Sequence, residues 1–225
     1  HAGTQENFGG VEMILLGIAG RKGSGKDTLA SSLLQWWLNP ESLIKDGAVY
    51  HMADPMKDLS INFFGLNHAS VYGTQEQKES PIPYAWGQMP TYSIMVEPKP
   101  PSNRRMTGRE FLQYFGTEIC RTMDPMIHVH ATMKKIASDE ERSIAIDYLA
   151  VVADLRFPNE CDAIRKRGGK IVLLTRSGDP KIDDHSSENS LNGYSFDAVI
   201  DNTFMTKMEQ LDAIIKYLKE SSQLS

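Results

Sequence analysis

Cysteine is nearly absent. Cys120 and Cys161 are the two in 225 residues, too few for a disulfide framework and neither within a CxxC or Cys/His spacing that zinc would need. Both are expected as reduced thiols in a cytosolic protein. A basic excess is absent too: 24 Lys+Arg against 29 Asp+Glu give a formal net charge of −5, so the chain has no bulk surplus of cations for holding a polyanion by counterion release. Stable nucleic-acid binding is not expected. Nor is a membrane role, because the apolar run Met13–Leu16 is closed by Gly17 and then Arg21, far short of the ~18 residues of a spanning helix. Internal repeats and low-complexity tails are missing. Residues 1–12 carry neither an initiator Met nor a basic-then-apolar signal pattern and read as an appended leader ahead of Met13.

What is present suits one globular domain of about 13–225, 40% hydrophobic and 24% charged, with enough chain to bury a real core. From Met13 a short apolar run meets a glycine-rich turn and then Leu29, Leu33, Leu34 and Trp37 at helical spacing. The run predicts a strand buried on both faces, and the spacing a helix. Further strands are predicted at 48–52, 149–153, 171–174 and 198–200. A helix opening at Asn159 should end near Gly168-Gly169, and 208–218 predicts an amphipathic closing helix with Leu211, Ile214, Ile215 and Leu218 on one face. Alternation of strands and helices implies an α/β fold: a five-stranded parallel sheet flanked by helices.

The rhythm breaks from about 55 to 145. Six prolines lie between Pro81 and Pro101, with Pro55 and Pro125 flanking them, which excludes a simple helix or a central strand there. This stretch is expected to be a mostly helical insertion reaching over the carboxyl edge of the sheet, separating a core of about 13–54 and 146–225.

The sharpest chemical signal is Gly20-Arg21-Lys22-Gly23-Ser24-Gly25-Lys26-Asp27-Thr28. It fits G-x-x-x-x-G-K between a strand and a helix. The glycines let successive backbone N–H groups point inward as an anion nest, the helix N-terminus adds partial positive charge, and Lys26 brings a full cation to the outer phosphates. Asp27 stands where Ser or Thr usually touches magnesium. A carboxylate beside a polyphosphate repels it unless a divalent cation intervenes, so Mg²⁺ near Asp27, with Thr28 as helper, is one reading; an acid favoured by the helix dipole is the other.

A second strand ends in Asp154-Leu155-Arg156 on the carboxyl edge, where open α/β sheets bind ligands. Asp154 is a candidate for metal-bound water or a substrate hydroxyl and Arg156 for a phosphate clamp, or the two form a capping, salt-bridging pair. Arg176 ends the next strand. The following segment, 177–191, with Asp184, His185 and Glu188, is either a cover over the phosphates or a solvated loop. Thr107 predicts the cap of a helix whose Phe111, Leu112 and Phe115 face the core, while Arg109, Gln113 and Glu118 form a polar face turned to a ligand. Tyr84 and Trp86 are candidates for stacking a base or for pinning their loop.

Together with Ala53-Asp54-Pro55-Met56-Lys57, Gly108-Arg109-Glu110 to Gly116-Thr117-Glu118, Asp154 to Glu160, His185 to Glu188 and Asp197 to Asn202, these motifs resemble the bacteriophage deoxynucleoside monophosphate kinases and, more distantly, phosphomevalonate kinase. The likeness spans about 13–218. It implies an adenylate-kinase-like P-loop fold, ATP and Mg²⁺ as cofactors, transfer of the γ-phosphate to a deoxynucleoside 5′-monophosphate, cytoplasmic action during phage DNA synthesis, and a homodimer. By position it implies ATP and metal binding through Arg21, Lys22, Gly23, Ser24, Gly25, Lys26, Asp27 and Thr28. Asp54, Lys57, Trp86, Arg109, Gln113, Glu118, Asp154 and Arg156 fall on the acceptor side. Lys26, Arg156 and Arg176 would act on the transferring group, with 183–188 closing over ATP.

A monophosphate acceptor is already an anionic nucleophile, so such a kinase needs cations and positioning rather than a general base. The sequence agrees, offering a phosphate loop and arginines but no His-carboxylate dyad. A regulatory GTPase is excluded by Phe157, which stands where that class needs glycine, and by the absence of an Asn-Lys-x-Asp motif. The competing reading is a kinase of another small phosphate acceptor, such as phosphomevalonate. Segment 87–104 matches no family motif, so base selectivity is not legible there.

Overall fold

The computed structural model describes residues 12–21, 23–39, 45–95, 97–176 and 190–221. The chain divides into two compact units, one comprising His1–Met52 with Thr132–Ser225 and the other Ala53–Ala131. The boundary differs from the expected 55–145. It falls inside a long helix, because the second half of that helix packs with the sheet.

The first unit is built on β1 (Glu12–Ala19), β2 (Lys45–His51), β5 (Asp147–Leu155), β6 (Lys170–Thr175) and β7 (Ala198–Asp201). They form one parallel sheet in the order β2-β5-β1-β6-β7. The predicted strands are all present, with ends that differ from the expected ones by up to three residues. Side chains alternate along a strand, and here both faces are covered. Ile14, Leu16, Ile18, Leu149, Val151, Ala153, Val172 and Leu174 pack with Leu29, Leu33 and Trp37 of α1 (Lys26–Trp37) and with Ile214 and Leu218 of the closing helix, α8 (Lys207–Glu220). Leu15, Tyr148, Ala150, Val152 and Ile171 on the opposite face are buried as well. There α7 (Pro158–Lys166) supplies Cys161 and Ile164, and α6 (Ile127–Arg142) supplies Ile136 and Asp139, the latter accepting the Tyr50 hydroxyl at 3.0 Å. Strands covered twice read as near-continuous apolar runs, which is why the sequence exposed them.

The second unit holds α2 (Asp54–Asn62), α3 (His68–Tyr72), α4 (Gln75–Lys78), β3 (Pro81–Ala85), β4 (Arg105–Thr107) and α5 (Gly108–Gln113), then a π-helical stretch Tyr114–Arg121 that leads to the start of α6. It is less purely helical than expected. β3 and β4 pair antiparallel as a two-stranded ribbon, an edge arrangement that tolerates Pro81 and Pro83 because neither needs an N–H for a central ladder. Leu66, Val71, Ile82, Trp86, Met106, Phe111 and Tyr114 form its core, with the Phe64 ring edge-on to Tyr84, Phe111 and Phe115.

Both cysteines are free and buried. Burial, then the neighbouring Glu160 and Asp162, pushes the Cys161 thiol up to about 12, so it stays protonated and inert at neutral pH. No helix among the described residues is long and apolar enough to cross a membrane.

Candidate active site

The phosphate loop connects β1 to α1 at the carboxyl edge of the sheet. Gly23 and Gly25 have φ of 86° and 94°, left-handed values that a side chain resists and glycine does not. Gly25 is also the N-cap of α1, so the helix begins with no side chain capping its first N–H groups. An uncapped N-terminus behind a glycine turn is a ready anion site. Lys22, one of the expected ATP contacts, lies outside the described residues.

Lys26 does more than extend towards the phosphates. It is buried, 6% exposed, and its Nζ donates to the carbonyls of Gly20 at 2.7 Å and Arg21 at 2.8 Å while standing 3.3 Å from Asp154 Oδ1. The ammonium thus holds the loop in its curved form. Buried cations persist only when paired and hydrogen-bonded, and all three contacts come from the ends of β1 and β5.

Asp154, next to last in β5, has φ of 62°, the positive value of a non-glycine residue among those described. Such a backbone costs roughly 1–3 kcal/mol and collects at functional sites. Its effect here is to set one carboxylate between two cations: Oδ1 faces Lys26, while Oδ2 receives Arg156 Nε at 3.0 Å and NH2 at 2.9 Å. Asp154 and Arg156 are therefore salt-bridged. The capping role falls elsewhere. Glu160 Oε2 accepts the N–H groups of Arg156 at 2.8 Å and Phe157 at 3.2 Å, closing the first turn of α7.

Arg156, Arg21 and Arg176 line one pocket of about 340 Å³ with Gly20, Leu155 and Phe196. The structure brings together three of the arginines singled out from sequence at the mouth of the loop. Asp27 is exposed, and its Oδ1 lies 3.0 Å from His51 Nε2 at the end of β2. Thr28 is exposed beside it. Exposed hard oxygen donors at the mouth of an anion nest fit Mg²⁺, which takes one or two carboxylates and fills its remaining positions with phosphate oxygens and water.

Two contributors escaped the sequence. His51 is a lone histidine whose partner is distant in the chain. Asn202, just past β7, is fully buried: its Nδ2 donates to Ser24 O at 2.7 Å and to Gln210 Oε1 at 3.1 Å, and its N–H to Thr175 O at 2.8 Å. It ties the phosphate loop to the end of β6 and to α8. A signal existed, since a polar residue directly after a buried strand stands on the ligand-binding edge.

In the second unit, Lys57 is paired with Asp54 at 2.9 Å and lies 4.9 Å from the centroid of the Tyr72 ring. Arg109 donates to Glu79 Oε1 at 2.6 Å and to Gln75. Thr107 caps α5 in a capping box with Glu110, as its position suggested. One expectation is corrected. Trp86 is 8% exposed, edge-on to Tyr114 and buried in the aromatic core, so its ring packs the unit rather than offering a face to a base; Tyr84 likewise stacks on Phe111. Arg109 is drawn to α4 by Glu79, while Gln113 and Glu118 are exposed on α5 and on the π-helical stretch that follows it. Asp184, His185 and Glu188 of the expected cover lie outside the described residues.

The family model for deoxynucleotide monophosphate kinase matches residues 88–215. A curated protein of Acanthamoeba polyphaga mimivirus, named as a candidate deoxynucleotide monophosphate kinase, is 32% identical over 225 residues, covering 95% of this chain and all of that protein. Among solved structures, TT1252 from Thermus thermophilus aligns over 93% of this chain and 98% of its own at 14% identity, with a TM-score of 0.46. The APS kinase of Mycobacterium tuberculosis aligns over 93% and 99% at 11% identity, with a TM-score of 0.40.

Proposed function

The chain belongs to the deoxynucleotide monophosphate kinase family, and from that premise we propose how its residues carry out ATP-dependent phosphorylation of a deoxynucleoside 5′-monophosphate. An oxygen of the acceptor phosphate attacks the γ-phosphorus of ATP, the bond to the β-phosphate oxygen breaks, and ADP leaves with the electron pair. The acceptor is already anionic, so the residues have only to bind, orient and neutralise charge.

The observation that carries this reading is the meeting of Lys26, Arg156 and the Asp154 carboxylate at an uncapped helix N-terminus. The N–H groups of the loop and Lys26 take the outer phosphates of ATP. Arg21, Arg156 and Arg176 supply the charge that spreads over the transferring group, where preorganised cations count most. Asp154 keeps Lys26 and Arg156 in place, so little reorganisation is needed when the phosphates arrive. Asp27 and Thr28 would hold Mg²⁺, which when bound neutralises the phosphate oxygens. Lys57 and Arg109 of the second unit, with Asp54 orienting Lys57, are assigned to the acceptor. Water must be kept from the transferring group, or ATP is simply hydrolysed. The homodimer and action in a host cytoplasm rest on the resemblance to viral kinases and are tested by sedimentation and fractionation.

The test is ADP formation from Mg-ATP with dAMP, dGMP, dCMP and dTMP offered singly beside a control lacking acceptor. Strong stimulation by at least one supports the assignment. ADP formation that ignores every monophosphate contradicts it.

A further inference from the structure

In the second unit a group of cations stands where α2, α3, α4 and α5 pack on one another. Lys57 and Arg109 already have counter-charges in Asp54 and Glu79. Lys78 differs: it is half-buried, and its ammonium has no hydrogen-bond or ion-pair partner among the described residues. Gln75, Lys78 and Glu79, at i, i+3 and i+4, share the face of α4 that Arg109 reaches through both Gln75 and Glu79. Asp58 accepts the Tyr72 hydroxyl at 2.7 Å, and Tyr72 in turn carries Lys57 over its ring.

Burial, followed by the charges of Lys57 and Arg109, lowers the proton affinity of the Lys78 ammonium below that of an ordinary lysine. An unpaired cation beside two others is unfavourable, and a group held at such a cost points to an anionic partner. A phosphate monoester dianion has the matching charge and the lone pairs for several N–H donors at once. We propose that Lys78 binds the phosphate of the acceptor monophosphate together with Lys57 and Arg109. This assignment rests on reading the second unit as the acceptor side.

The experiment is steady-state kinetics of Lys78→Met, Lys78→Arg and Arg109→Met, with the best deoxynucleoside monophosphate varied at saturating Mg-ATP and then the reverse, alongside thermal melts without ligand. Lys78→Met should raise KM for the monophosphate about 10- to 100-fold, the usual cost of a charge-assisted hydrogen bond, with KM for ATP unchanged. Lys78→Arg should recover most of that loss. Because Lys78 has no counter-ion before ligand binds, Lys78→Met should melt at the same temperature as the parent or higher. An unchanged acceptor KM in Lys78→Met beside a raised one in Arg109→Met overturns the role of Lys78 and leaves the acceptor-side reading standing. Unchanged values in both overturn the two together. A lower melting temperature with both KM values raised marks Lys78 as structural and also overturns the proposal.

Discussion

Lys26 holds its own loop and, in the reaction proposed, also meets the outer phosphates. Lys26→Met keeps the aliphatic stem but removes the donors to Gly20 and Arg21. It should lower kcat by about 100-fold or more, the scale of losing one donor to developing charge, and reduce stability by about 1–3 kcal/mol through the unpaired carbonyls and Asp154. Near-parental turnover would contradict the role given to it. Arg156→Ala should raise KM for the acceptor and lower kcat; a change confined to KM for ATP would show that the division of labour is wrong. The glycines and Lys26 were legible because an anion nest demands those residue types at that spacing. Asp154 was legible as a position but not as a bridge, since nothing in Asp-Leu-Arg announces a φ of 62°. His51 meets Asp27 only after β2 has folded into the sheet.

Strands and helices of the first unit were legible to within a few residues, because burial on both sheet faces writes itself as unbroken apolar runs. The link from β7 to the loop was not: Asn202 has meaning only through Ser24, far away in sequence. Asn202→Leu keeps the volume but strands the Ser24 carbonyl and Gln210, and should weaken ATP binding while costing about 1–3 kcal/mol of stability, read by calorimetric titration and urea unfolding. In the second unit the prolines concealed a β-ribbon, and nothing in the sequence announced the π-helical stretch. That stretch is anchored by His128, whose Nε2 lies 3.1 Å from Gly116 O. Burial above all, with the Arg121 charge adding to it, holds the His128 imidazole below its ordinary 6.5. The unfolded chain therefore takes up a proton more readily than the folded one. The stabilising contribution is fully present above pH 6.5 and is lost as pH falls from there toward the lowered folded value. His128→Gln should flatten that part of the stability profile in urea titrations; an unchanged slope would remove His128 from the account.

The molecule as a whole is acidic, with a net charge of −5, yet it gathers Arg21, Arg156 and Arg176 around one pocket. This is local electrostatics suited to a small polyanion rather than to a long nucleic acid. Fold class and reaction class were legible because both depend on the strand-loop-helix unit and on arginines at strand ends. Base choice was not, because 87–104 folds back on its own aromatic neighbours, with Thr91 bonded to the Tyr114 hydroxyl at 2.7 Å and Tyr92 to Pro100 O at 2.6 Å, and no spacing rule encodes such contacts. If Asp27 and Thr28 hold the metal, EDTA should abolish turnover and added Mg²⁺ restore it, with Asp27→Asn requiring more Mg²⁺ for half-maximal rate; metal-independent turnover would contradict that role. The most direct measurement follows the γ-phosphate itself: ATP labelled there is incubated with a deoxynucleoside monophosphate and the products are separated. The account predicts label in the deoxynucleoside diphosphate. Label released only as inorganic phosphate would contradict it.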